Sequence, residues 1–308
     1  MKPPTSAPDC RPAIRRPALR VVAQTSDMLG EAPLWHPLED CLYWLDLAGG
    51  RLHRMAADGH VATRRIDRPV PLGAVVAGPA AGCLILSARD GLALYDWASD
   101  TLVALCHPEA GRSAIGYNDA KVDRVGRLWI GTSDLAEQEP RGALWCWTPG
   151  RVPVLAEAGF TVVNGPAFSP DGRTLYLSDS VGRRVLAFDV AADAPVLTHR
   201  RVFAAMAVDE GYPDGLTVDA GGGVWLAHWD GWRITRFSPE GERMLVVPLP
   251  APRITSLAFG GEGLATLFVT SARLDLAPPL IDAAPLSGAL FAVEAGIKGL
   301  PERAFIPG

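Results

Sequence analysis

Short runs in which apolar and polar side chains alternate recur along the whole chain, bounded by Gly, Pro and Asp, and no window of helical periodicity long enough to matter interrupts them. The runs fall into repeating units. Four units open alike: Glu31-Ala-Pro-Leu-Trp35, Asn118-Asp-Ala-Lys-Val122, Asn164-Gly-Pro-Ala-Phe168 and Asp214-Gly-Leu-Thr-Val218. Each begins with an oxygen-bearing residue and reaches an apolar one four positions on. A turn follows, as at Pro170 to Gly172 or Asp219 to Gly223, and then an aromatic strand: Leu42-Tyr43-Trp44-Leu45-Asp46, Leu128-Trp129-Ile130-Gly131, Leu175-Tyr176-Leu177-Ser178-Asp179 or Val224-Trp225-Leu226-Ala227. A third strand closes the pattern, often opened by Gly, as in Gly50-Arg-Leu-His-Arg-Met55 and Gly142-Ala-Leu-Trp-Cys-Trp147.

The spacing of roughly 45–50 residues suits one propeller blade of four strands. The interval between Glu31 and Asn118 is about twice as long and holds a further unit from Leu72 to Asp96, and a sixth runs from Ile254 to Val293. The pattern predicts an all-β, six-bladed propeller with four antiparallel strands per blade, forming one domain over residues 19–308 behind a flexible N-terminal tail, residues 1–18. A pair of two-sheet sandwiches or a lectin-like fold competes, but regular unit length and the Gly-opened third strand favour the propeller.

Composition narrows the function. The 308 residues are 48% hydrophobic and 20% charged, enough for a large core, and the net charge of −5 comes without any basic stripe, which argues against a nucleic-acid partner. Five scattered cysteines, Cys10, Cys41, Cys83, Cys106 and Cys146, form neither a zinc knuckle nor a disulfide framework and suit a reducing cytoplasm. No run reaches the roughly 18 apolar residues of a membrane span, and Met1 to Arg20 lack the apolar core of a secretory signal. The expected state is a cytoplasmic monomer or weak homo-oligomer.

In a propeller the first strand of each blade lines the axis, so Glu31, Asn118, Asn164 and Asp214 should face one place. Two acids and two amides facing one place form an oxygen cage for a hard cation: Ca2+ first, with Mg2+, Mn2+, Zn2+ or Fe2+ as alternatives. The plain alternative is that these residues cap turns at strand starts. The six histidines are too dispersed for a zinc triad, although His228 could line the pocket, and no serine has a nucleophile-elbow context. No Gly-rich turn joins a strand to a helix as a phosphate cradle would, so no organic cofactor is expected.

The same residues resemble the gluconolactonase/regucalcin (senescence marker protein) family of propellers. The resemblance rests on Gly30-Glu-Ala-Pro-Leu-Trp35, Asn118-Asp-Ala-Lys-Val-Asp123 with Gly126-Arg-Leu-Trp129, Asn164-Gly-Pro166 with Ser169-Pro-Asp-Gly172, Pro213-Asp-Gly215, and Thr270-Ser-Ala-Arg273 near the end. It implies Glu31, Asn164 and Asp214 as metal ligands and Asn118 and Asp119 as substrate contacts. The implied activity is hydrolysis of a sugar lactone to the aldonic acid, with Asp214 as ligand and general base. The alternatives are a non-catalytic Ca2+- or ligand-binding propeller, and a broad metal-dependent esterase or phosphotriesterase. The sequence departs from the family where it has Gly116 in place of a substrate arginine two residues before Asn118. Arg112 could reach in from the same loop, and Glu137 and Glu139 are candidates for a further acidic substrate contact.

Overall fold

Each repeat folds as an antiparallel meander whose first strand lies innermost. The computed structural model describes residues 13, 14 and 17–308. The first strands are Gly30–Trp35, Leu72–Ala77, Ile115–Val122, Val163–Phe168, Tyr212–Val218 and Arg253–Gly260 in blades 1 to 6. They touch one another in that order, and the sixth returns to touch the first, so the six sheets form a closed ring. Helix is confined to Pro278–Ala283 and two short 3-10 turns among the described residues. The propeller expectation therefore holds.

Closure comes from the other end of the chain. Blade 6 takes only Arg253–Gly260, Thr266–Ala272 and Leu290–Glu294 from the C-terminal region, and its outer strand is Leu19–Ala23, which pairs antiparallel through Leu19↔Val293, Arg20↔Ala292 and Val21↔Phe291. The ring is thus latched by its two termini, and Leu290–Glu294 is not left as a bare sheet edge. Most of the predicted tail, residues 1–18, lies outside the described residues; within it, Ala13–Ile14 add a parallel strand to the rim of blade 5 at Leu245 and Val246.

The strands alternate so that each sheet packs both faces against neighbouring blades. Trp225 and Ala227 join a cluster with Leu257, Leu267 and Phe291 of blade 6, whereas Leu226 and Val224 join Tyr176, Val185 and Leu216 on the blade 4 side. Trp44, Trp129 and Trp225 are fully buried, as expected of core strand positions. A recurring clasp fixes two of them. Asp219 accepts from the Gly221 and Gly223 amides, from the Trp225 indole at 2.8 Å and from Arg236 Nε at 2.7 Å. Asp123 repeats the arrangement with the Val125 and Arg127 amides, the Trp129 indole and Arg127 Nε. These buried polar groups thereby find partners inside the turn that launches the second strand.

All six first strands carry a bulge at the same level, where two residues face one on the second strand. The bulged pairs are 32–33, 73–74, 118–119, 165–166, 214–215 and 255–256. This corrects the expected register. Asn118 and Asp214 are first residues of a bulge, but Glu31 and Asn164 stand one residue before it. In blades 1 and 4 the first bulged residue takes the left-handed conformation, Ala32 at φ 49 and Gly165 at φ 70, and Pro follows it in both. That different bulge moves the oxygen-bearing residue back by one place.

Candidate metal and substrate site

The four residues do converge. Glu31, Asn118, Asn164 and Asp214 line one cavity of about 470 Å3 at the mouth of the central channel. The strands fix them locally. Asn118 Nδ2 donates to Asn164 Oδ1 at 2.7 Å and to the Val163 carbonyl at 2.7 Å. Asn164 Nδ2 donates to Ser180 Oγ at 3.1 Å. The Asp214 carbonyl accepts from Ser178 Oγ, and Gly215 beside it lies so close to Ser256 Oγ that a Cβ there would sit 2.3 Å away. The left-handed turn at Ala32 brings its amide to 2.7 Å from Glu31 Oε2.

Asp119 sits on the far side of these residues. Its carboxylate accepts from the Gly165 amide at 3.1 Å and the Ala120 amide at 3.2 Å, and it lines a cramped stretch of the channel with Lys121 and Ser256. The sequence pairs Asn118 and Asp119; the fold turns them to opposite sides of the bulge.

The electrostatics are unfavourable without a cation. Burial, and then the charge of Asp119, hold the Glu31 carboxyl well above its usual range. Burial followed by the charges of Glu31 and Asp119 does the same to Asp214. Burial pushes Asp119 up to about 6. Among the described residues none of these three acids forms an ion pair within 4.0 Å. Nor do three His, Cys, Asp or Glu side chains there converge tightly enough to hold an ion alone. The predicted shell needs only two acids, with the Asn164 amide as a neutral third donor. Buried, mutually repelling carboxylates beside amide oxygens are the chemistry that a hard divalent cation satisfies, so the residues fit such an ion.

Other sequence candidates separate clearly. Glu137 lines the cavity. Glu139 is exposed and does not line the cavity. Arg112 does not reach in either: its guanidinium holds Glu109 at 2.6 Å and the Arg141 carbonyl at 3.0 Å. His228 is buried on the blade 4 side of its strand, with Nδ1 at 2.9 Å from the Glu210 carbonyl, and is no pocket residue. Strand alternation explains this, since the next residue, Trp229, is the one that faces the cavity. The sequence reading missed Tyr212, Trp229, Arg253, Leu274 and Asp275 in the wall. Tyr212 was within reach of inference, two residues before Asp214 on the same strand; Arg253 also begins a first strand, but Leu274 and Asp275 come from a loop without repeat register.

The model of the SMP-30/Gluconolactonase/LRE-like region matches residues 29–273. The 6-deoxy-6-sulfogluconolactonase of Pseudomonas putida is 33% identical over 288 residues, covering 93% of this chain and 98% of that protein. A pentonolactonase of Haloferax volcanii is 31% identical over 291 residues, covering 91% and 96%. The crystal structure of a calcium-binding protein, regucalcin from Agrobacterium tumefaciens, superposes with a TM-score of 0.88 at 27% identity, covering 95% of this chain and 98% of that one.

Proposed function

The chain belongs to the SMP-30/Gluconolactonase/LRE-like family, and from that premise we propose that it hydrolyses a sugar lactone to the open aldonic acid with the help of one divalent cation. The observation that carries the reading is the convergence of Glu31, Asn164 and Asp214, with Asn118 beside them, in one cavity large enough for a sugar ring. Glu31, Asn164 and Asp214 would hold the cation, with Ca2+ the best match to an all-oxygen donor set and to the calcium-binding relative. When bound, such an ion supplies Lewis acidity toward the ester carbonyl and makes water a better nucleophile near neutral pH.

The chain's own residues set up the remaining steps. No protein donor reaches the Asn118 carbonyl oxygen among the described residues, which leaves it to orient a substrate hydroxyl. Asp214 takes the proton as water adds to the lactone carbonyl. The ring C–O bond then breaks, the ring oxygen takes that proton back from Asp214 and leaves as the sugar hydroxyl, and the acyl carbon becomes a carboxylic acid that ionises to the carboxylate with release of one proton. Water is consumed and no redox partner is required. Asp119, behind the cluster, fixes the Gly165 turn that aims Asn164.

Acid release measured on a panel of five- and six-membered aldonolactones, with and without chelator, tests the reading. Turnover should depend on added divalent ion, and Asp214→Ala should lose at least about 100-fold, as removal of one preorganised electrostatic contact does. Near-full activity in that variant would overturn the assignment of Asp214. Ion uptake with no turnover of any lactone would favour a binding protein instead.

A further inference from the structure

The cavity has two unlike lobes. The acid and amide lobe opens into a second space of about 380 Å3, sharing Leu29, Leu47, Asn118, Glu137, Val162 and Leu274 with it. The second lobe continues between blades 1 and 3 past Val70, Leu72, Gly116 and Leu135. Gly116 is filled from outside: a Cβ there would meet Leu135 Cδ2 at 2.6 Å. Val70 and Leu135 are 43% and 37% exposed, so sizeable apolar side chains stand at the wall of this lobe without cover.

Most of its polar groups are already engaged. The Tyr117 hydroxyl accepts from the Glu109 amide at 3.1 Å and lies 3.0 Å from His107 Nδ1. Ser133 Oγ accepts from the Val163 amide. Asp134 Oδ2 accepts from the Gln138 and Glu139 amides, and Oδ1 faces Arg141 at 3.5 Å. Asp134 Oδ1 lacks a hydrogen-bond partner but is buried out of reach of solvent, and the other polar side-chain groups without protein partners, the Asn118 carbonyl and Glu137, both lie at the junction of the two lobes. A hydroxylated ring is served in the first lobe and at the junction; a hydroxyl carried into the second would lose water and gain nothing.

We propose that the substrate is a deoxy-sugar lactone, whose methyl or short alkyl terminus occupies the lobe between Leu47, Val70, Leu72 and Leu135. This rests on the lactonase reading above and extends it to substrate class. Leu135 is then a specificity-determining residue, because it both closes the space over Gly116 and presents the apolar wall.

The test compares matched lactones of one stereochemistry that differ only in a terminal CH3 or CH2OH, on the Ca2+-loaded protein. The deoxy lactone should have the higher kcat/KM by about 10- to 100-fold, the penalty range for a buried hydroxyl left unpaired. Each further methylene that still fits should add about fourfold. Leu135→Asn, which offers the hydroxyl a partner, should shrink the CH3/CH2OH ratio several-fold. Calorimetric binding of the corresponding sugar lactams, which resist hydrolysis, separates the two layers of inference. A deoxy preference in lactam binding with no lactone turned over would sink the hydrolase reading and leave the lobe assignment standing. Turnover with a ratio of one or below, a preference for an anionic terminal group, or failure to bind either lactam would overturn the lobe assignment.

Discussion

Acidification should destabilise this protein through His228, by an amount the structure sets. His228 lies on the second strand of blade 5, is 1% exposed, and has its Nδ1 committed to the Glu210 carbonyl at 2.9 Å. Its Nε2 is buried with no hydrogen-bond partner. Burial chiefly, with the Arg233 and Arg243 guanidiniums adding repulsion, pulls its pKa from 6.5 to about 4. The neutral ring is therefore the folded form. Above pH 6.5 neither state carries the proton and the group contributes nothing. As pH falls from 6.5 toward 4 the unfolded chain binds a proton that the folded one refuses, and stability declines until both are protonated. The full difference is about 3 kcal/mol, at about 1.4 kcal/mol per pH unit, or about 5 °C in Tm for a chain of this length. Other groups titrate nearby. Glu210, whose burial is outweighed by its Arg243 partner and the Ala207 amide, has a lowered pKa, so its stabilisation is full above the unfolded value of 4.5 and declines from there downward as the unfolded carboxyl protonates first. Asp119, with its pKa raised to about 6, works in the opposite direction and regains stability as it protonates. The comparison must therefore be between wild type and His228→Asn, which keeps a donor near the Glu210 carbonyl and cannot charge. Urea unfolding of both at matched Ca2+ between pH 7.5 and 4 should show a gap that shifts by about 3 kcal/mol in favour of the variant. A gap that stays constant across this range would refute the reasoning.

Three further outcomes follow from the fold and the site. Asp219→Ala strips a buried carboxylate from four donors, including Arg236 and the Trp225 indole, and should cost roughly 3–5 kcal/mol in denaturant unfolding, while Trp225→Phe should cost about 1 kcal/mol from the lost indole bond beyond any packing change. Deleting the chain through Ala23 removes the outer strand of blade 6; with four ladder pairs lost at about 1 kcal/mol each, Tm should fall and light scattering should rise as the edge at Leu290–Glu294 is bared. Asp214→Asn should abolish most turnover yet leave the chelator-treated protein at least as stable as wild type by thermal unfolding, because it removes a buried charge that Glu31 and Asp119 oppose.

The fold was legible because its unit is local. A first strand, a Pro or Asp-Gly turn and an aromatic second strand sit within one stretch of sequence, as in Asp214 to Ala227, and repetition supplies the rest. Two features were not. The latch pairs Leu19 with Val293, and neither segment carries a mark of the other; a two-stranded match across the whole chain leaves no periodic trace. The bulges are equally hidden, since one extra residue shifts which side chain faces the axis without changing the apolar pattern downstream. Aligning Glu31, Asn118, Asn164 and Asp214 by their distance to the next apolar residue put them in one cavity, yet assigned them one structural position where there are two. His228 failed for a related reason: its place near the strand end is right, but alternation hands the pocket to Trp229.

That offset carries the chemical consequence of the fold. A sixfold repeat with identical first strands would ring the axis with six equivalent groups, and six equivalent groups distinguish no side for substrate. Here blades 1 and 4 use a left-handed bulge with Pro behind it and project the residue before the bulge, whereas blades 3 and 5 project the first bulged residue itself. Blades 2 and 6 place Gly73 and Thr255 at the bulge, and Thr255 Oγ1 is spent on the Gly30 carbonyl. Three donors therefore come from the adjacent blades 3, 4 and 5 and the fourth, Glu31, reaches them from blade 1 across the axis, and the gap left by blade 2 is where the apolar lobe begins at Leu72. Buried acids placed this way weigh against the stability of the chain alone. A regular scaffold tolerates them because each strand remains fully paired above and below its bulge, so the cost is confined to the level at which binding can repay it.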